Sequence, residues 1–144
     1  NIMISETEDH KVYVKLLDFD IARSQFISRH TEPGYLMGTI FYLPPEYISH
    51  QEKTASSDIY SFGVVCYELL TFERPFLGEG AMEILKQIQD IDPLEPVRFR
   101  PEIPSDLNSL IIRMMSKTTT SRPDEEELLE RIEELYRMEV MNDR

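Results

Sequence analysis

Several things are scarce in this chain of 144 residues, and each scarcity narrows what it can be. There is one cysteine, Cys66, so no disulfide can form within the chain; this fits a reducing, intracellular setting. Cys66 sits in an apolar stretch with no neighbour in sequence that would activate a thiol, so it reads as a packing residue. Basic side chains are few: 15 Lys and Arg stand against 27 Asp and Glu, a net charge of −12. That balance argues against nucleic acid and against an anionic membrane surface as partners, since both call for a basic face. No apolar run in these residues is long enough to span a bilayer, and no stretch of them reads as a signal peptide. Glycine is sparse as well. Gly78-Glu79-Gly80 lacks a preceding strand and a third glycine, so it reads as a turn before a helix and not as a phosphate-binding loop. No internal repeat or low-complexity tract occurs.

What is present suffices for a folded unit. Hydrophobic residues make up 41% of the chain and charged residues 29%, which suits one domain or part of one. Two short apolar runs, 1–4 and 12–17, flank the polar stretch 5–11 and predict a hairpin. The stretch 57–70 carries apolar side chains in nearly every direction when wound as a helix, which predicts a central, buried one. Ser56 or Ser57 is the expected cap, Asp58 sits at the positive end of the dipole, and Pro75 bars continuation. Phe62, Val65 and Leu69 are expected to carry core packing. Three further helices follow. Ala81–Ile91 is amphipathic through Ile84, Leu85, Ile88 and Ile91. After a loop with four prolines (93–104), Ser105 is the expected cap of a helix reaching about Met115, with Leu107, Leu110, Ile111 and Met114 on one face. The last opens with a capping-box-like Asp124-x-x-Glu127 and carries a stripe of Leu128, Leu129, Ile132, Leu135 and Tyr136. Residues 137–144 are expected to fray.

The wording of these stretches resembles one family. Asp58-Ile-Tyr-Ser-Phe-Gly-Val-Val-x-Tyr-Glu-Leu-Leu-Thr, with Pro75-Phe76 beyond, resembles the helix at the centre of the large lobe of protein kinases. Asn1-Ile-Met-Ile, a polar turn and Val14-Lys-Leu-Leu-Asp-Phe-Asp-Ile-Ala-Arg resemble the end of the catalytic loop followed by the metal-binding segment. Gly38-Thr39-Ile-Phe-Tyr-Leu-Pro-Pro-Glu46 is similar to the family's G-T-x-x-Y-x-A-P-E, with Pro44 in place of Ala. Ser121-Arg122-Pro123 completes the set in the family's order. The Thr39 pattern is more like serine/threonine kinases, and the helix wording is similar to their tyrosine-kinase-like branch.

The resemblance implies a protein-kinase-like α+β fold, of which this segment is mainly α-helical with one short N-terminal β-hairpin. Residues 1–144 would be a partial kinase domain, from the end of the catalytic loop to the last helix, and the start at Asn1 reads as a piece of a longer protein. It implies ATP and Mg²⁺ as cofactors, with the Asp18 carboxylate and the Asn1 amide oxygen as hard ligands for the metal, and Phe19 locking Asp18. Thr39 would support the catalytic centre. Glu46 and Arg122 would form a structural ion pair, and Asp58 would hold the catalytic-loop backbone. Ser24, Ser28, Thr31 and Tyr35 fall in the stretch matching an activation segment and are candidate phosphate acceptors, with Arg23 and Arg29 nearby. The catalytic aspartate would lie upstream of Asn1, with the glycine-rich loop and strand lysine. The segment alone is therefore catalytically incomplete, and its partners would be those missing parts and a protein substrate. One departure stands out: Asp20 occupies a position where the family usually has Gly. That substitution supports an alternative, a pseudokinase that keeps the fold for docking or allosteric control.

Overall fold

The computed structural model describes residues 2–17 and 38–142. These residues fall into two units, divided after Pro33.

The first unit contains the hairpin. Strand β1 (Ile2–Glu6) pairs antiparallel with β2 (Val12–Leu16), in the register Ile2↔Leu16 through Glu6↔Val12. The polar connection is shorter than the sequence suggests, because Ser5 and Glu6 join the ladder. The turn closes through His10 N–H to the Thr7 carbonyl (2.9 Å) and Thr7 N–H to the Lys11 carbonyl (3.0 Å). His10 takes a left-handed φ of 60°. Every strand side chain is exposed.

The second unit is helical. After a 3₁₀ turn (Ile40–Tyr42) come α1 (Pro45–His50), α2 (Ala55–Thr71), α3 (Ala81–Asp90), α4 (Ser105–Met114) and α5 (Glu125–Asn142). Helix α2 is the axis. Tyr60, Val64 and Tyr67 form its buried stripe, joined by Phe76, Ile84 and Ile88 around α3, Ile111 and Met115 around α4, and Ile40 and Phe41 of the 3₁₀ turn. Ile59, Leu110 and Met114 extend this core toward Leu128 and Leu135 of α5. Helix α4 crosses α2 at Gly63, where a Cβ would stand only 2.9 Å from the Met114 Cβ and 3.0 Å from the Met115 Cγ.

Several local expectations are corrected. Helix α2 is capped by Thr54, whose backbone N–H donates to the Ser57 Oγ (3.1 Å), and not by Ser56 or Ser57. It ends at Thr71, four residues before Pro75, with Phe72 in the left-handed region at φ 59° and its N–H on the Glu68 carbonyl (2.8 Å). Phe62 and Leu69 do not carry the core: they are 40% and 60% exposed, and Val65 is half-buried. At 3.6 residues per turn these three share the stripe opposite Tyr60, Val64 and Tyr67, and α4 and the 3₁₀ turn pack on the latter. In α4, Pro104 takes the cap position and Ser105 is the first helical residue. Asn108 instead braces the proline-rich loop, its Oδ1 accepting the Val97 N–H at 3.2 Å. In α5 the Asp124 Oδ1 accepts the Glu127 N–H (2.8 Å) as a cap. Only Leu128 and Leu135 of its apolar stripe pack inward, one side of a surface helix sufficing. Leu129, Ile132 and Tyr136 are exposed. The helix spans Glu125–Asn142. Cys66 is half-buried, and burial pushes its thiol up to about 11.

Candidate functional site

The stretch from Gly38 to Glu46 is held to α2 by two polar clusters. Its first residues are exposed. Thr39 precedes the 3₁₀ turn with φ −82° and makes no side-chain capping bond. Ile40 and Phe41 then plunge into the core. Tyr42 turns back against α2, where its carbonyl accepts the Ser61 hydroxyl (2.8 Å) and its own hydroxyl donates to the Glu68 Oε2 (2.5 Å). Ser61 and Glu68 are seven residues apart and so lie on one face of α2. Arg74 closes this cluster, with Nε 3.3 Å from the Glu68 Oε1 and its guanidinium carbon 4.0 Å from the Phe41 ring centroid. Burial, with the Glu68 carboxylate adding to it, pushes the Tyr42 phenol up to about 12.

Two prolines follow. Pro45 opens α1, where a missing N–H leaves nothing unsatisfied, and the Pro44 carbonyl accepts the N–H groups of Tyr47 (3.0 Å) and Ile48 (3.2 Å). This places Glu46 in the first turn of α1, facing Arg122 from the far end of the chain. The pair is bidentate, Nη1 to Oε1 and Nη2 to Oε2, both at 2.8 Å. Ser57 donates to the Glu46 Oε1 at 2.7 Å. Arg122 also donates through Nη1 to the Ser56 carbonyl (2.8 Å) and through Nε to the Ser116 carbonyl (2.9 Å). Its guanidinium lies 4.9 Å from the Tyr60 ring centroid. The Arg122 side chain is 0% exposed and that of Glu46 10%. A buried charge is tolerable only when paired and fully hydrogen-bonded, and here both are. Burial alone raises the Glu46 carboxyl, but the hydrogen bonds from Arg122 and Ser57 outweigh it and hold the carboxyl below its usual range.

Of the residues singled out in the sequence, the structure brings Glu46 and Arg122 together and leaves Thr39 exposed nearby in sequence. Asp58 is exposed in the first turn of α2. The expected metal ligands Asn1 and Asp18, with Phe19, Asp20 and the candidate phosphate acceptors Ser24, Ser28, Thr31 and Tyr35, lie outside the described residues. Among the described residues, no group of three or more His, Cys, Asp or Glu is placed to hold a metal ion, and no helix is long and apolar enough to cross a membrane. Tyr42, Ser61 and Glu68 stand in the motifs quoted above and Ser57 is an expected cap, but the sequence reading assigns none of them, nor Arg74, to these clusters. A signal for the pairing is that Ser61 and Glu68 interrupt a mostly apolar helix at a spacing of two turns.

Comparison with known proteins agrees with this arrangement. The family described as "Protein kinase domain" matches residues 1–132. The chain is 37% identical over 123 residues to "Serine/threonine-protein kinase PknB" of Mycobacterium leprae, covering 85% of this chain and 19% of that protein. It is 33% identical over 131 residues to "Probable serine/threonine-protein kinase PknB" of Lactococcus lactis, covering 90% of this chain and 20% of that protein. Against "Serine/threonine-protein kinase PknA" of Mycobacterium tuberculosis the identity is 35% over 123 residues, covering 85% of this chain and 27% of that protein. The chain thus spans about a fifth to a quarter of the length of these relatives. Motif order, the closed Glu46–Arg122 pair and the family match over residues 1–132 together place this chain in the protein kinase family.

Proposed function

We propose that the chain is part of an ATP-dependent protein serine/threonine kinase that, as the full-length protein, transfers the γ-phosphate to hydroxyls of protein substrates. The observation that carries this reading is the double anchoring of 38–46. Phosphoryl transfer needs little covalent help from the protein and depends on positioning and charge neutralisation. A segment that meets a peptide must therefore be fixed, and this one is tied at Tyr42 and again at Glu46. Thr39 would present its hydroxyl at the free end of that segment. Asp18 and Asn1 would hold Mg²⁺, which would neutralise the phosphate charge. The catalytic aspartate would come from a part of the protein outside this sequence. The enzyme reading is supported over the pseudokinase alternative by the names of the relatives, each a serine/threonine-protein kinase.

The test is Mg²⁺-dependent ATP binding and phosphate transfer by the full-length protein, beside Asp18→Ala. Transfer that disappears in the variant supports the reading and shows that Asp20 is tolerated. A folded wild type that neither binds Mg-ATP nor transfers phosphate would sink it in favour of a docking module.

A further inference from the structure

A cavity of about 330 Å³ lies where α2, α4 and α5 meet the end of the loop between α3 and α4. Its walls are Leu70 of α2, Ile103 and Pro104 of the loop, Leu107 of α4 and Leu135 of α5. Ile103 is buried, and the three leucines are only half-buried, with apolar surface left over toward the cavity. Two charged side chains complete the lining, Arg100 and Glu102. They are 42% and 62% exposed, so they stand where the cavity opens to water. The kinase chemistry proposed above uses none of these residues.

The two charges form a pair. Arg100 Nε donates to the Glu102 Oε1 at 2.5 Å, and the turn that sets them together closes through the Ile103 N–H on the Arg100 carbonyl (3.1 Å). Phe72 braces the arginine as well, its ring centroid 5.6 Å from the guanidinium carbon. Phe72 takes a left-handed φ of 59°, which bulky residues rarely accept, and its ring stays exposed beside Arg100. An ion pair this open to water contributes little. Glu102 can therefore leave Arg100 for a ligand at small cost, while Phe72 keeps the guanidinium at the mouth. The freed guanidinium fork can take a carboxylate through two N–H groups at once.

We infer that this cavity binds a free apolar α-amino acid of about the size of leucine. Small-molecule sites run from ~300 to ~1,000 Å³, so this one, at the low end, suits a compact ligand. The five apolar wall residues take an aliphatic side chain, and its removal from water drives binding. The mouth sets the rest of the ligand. A carboxylate meets Arg100 and an ammonium meets Glu102, and an α-amino acid carries both on the one carbon that bears its side chain. A simple aliphatic acid would set its carboxylate against that of Glu102, and an alkylamine would set its ammonium against Arg100, each a like-charge contact.

The experiment is titration of the full-length protein, followed by calorimetry and ligand-observed NMR, with leucine, glycine, isocaproate and isoamylamine. Leucine should bind, and glycine, which has no side chain for the cavity, should bind at least roughly tenfold more weakly. Isocaproate lacks the ammonium and isoamylamine the carboxylate, and each should bind severalfold more weakly than leucine. Arg100→Gln and Glu102→Gln change exposed side chains and leave the core intact. Each should weaken leucine severalfold, Arg100→Gln narrowing its lead over isoamylamine and Glu102→Gln its lead over isocaproate. No leucine binding, or leucine binding unchanged in both variants, overturns the site. Isocaproate or isoamylamine matching leucine in the wild type overturns the amino-acid assignment, and glycine matching leucine overturns the role of the apolar walls.

Discussion

The two clusters that hold 38–46 use the same chemistry in opposite settings. Both join an acid to an arginine and add a hydroxyl: Glu46, Arg122 and Ser57 at one end, Glu68, Arg74 and Tyr42 at the other. The first is sealed, with an Arg122 side chain that water does not reach. The second is open, its arginine about half exposed. An exposed ion pair contributes little because water and salt compete for each charge. A buried one offers little net stabilisation over apolar packing, yet punishes removal of either partner. The sealed cluster therefore fixes where α1 and the base of the segment must be, whereas the open one trims the position of its middle.

The largest expected effect comes from breaking the sealed cluster. Arg122→Ala strands the Glu46 carboxylate, and Glu46→Ala strands the guanidinium. Either should destabilise the intact domain by ~3–5 kcal/mol in urea unfolding. Replacing both at once, Glu46→Leu with Arg122→Met, should cost less than the worse single change, because no charge is left alone.

Acid should find the same cluster next. The Glu46 carboxyl is depressed in the folded protein, against roughly 4.3 for an unfolded glutamate. Its contribution is complete above that value and is lost as pH falls through the lower folded one. Stability from pH titration should fall in that acid window, and the Glu46→Leu, Arg122→Met double variant should lose less there than the wild type.

Smaller still is the open cluster. Arg74→Ala should cost at most about 1 kcal/mol, and raising salt should shrink the difference, whereas the Arg122→Ala deficit should persist. Smallest is Tyr60→Phe. The Tyr60 hydroxyl is buried with no hydrogen-bond partner, so deleting it should leave thermal stability unchanged or slightly raised, while the ring beneath Arg122 stays.

The same contrast explains what could be read from the sequence. Local features were legible because local physics sets them: the hairpin from two β-prone runs, the Asp124 cap from its spacing, α3 and α4 from their stripes. The side of α2 that packs was not. Apolar residues on every face show that a helix can be buried anywhere along its girth, and only the position of α4 against Gly63 decides that Tyr60 and Val64 go in and Phe62 and Leu69 stay out. Caps failed where a neighbour took the position, as Thr54 and Pro104 did. Glu46 and Arg122 stand 76 residues apart, a distance no periodicity bridges, and they were paired only through resemblance to a family. Tyr42 and Glu68, 26 apart, had no such guide, so the open cluster emerged only from the fold.

The most direct test of this account is hydrogen exchange across residues 39–50 in the intact domain, comparing Arg122→Met with Arg74→Met under conditions where both remain folded. The account predicts that Arg122→Met deprotects the segment from Tyr42 through His50, while Arg74→Met raises exchange modestly and only around Phe41 and Tyr42. Equal deprotection in the two variants, or greater loss in Arg74→Met, would contradict the claim that the sealed cluster sets the segment in place.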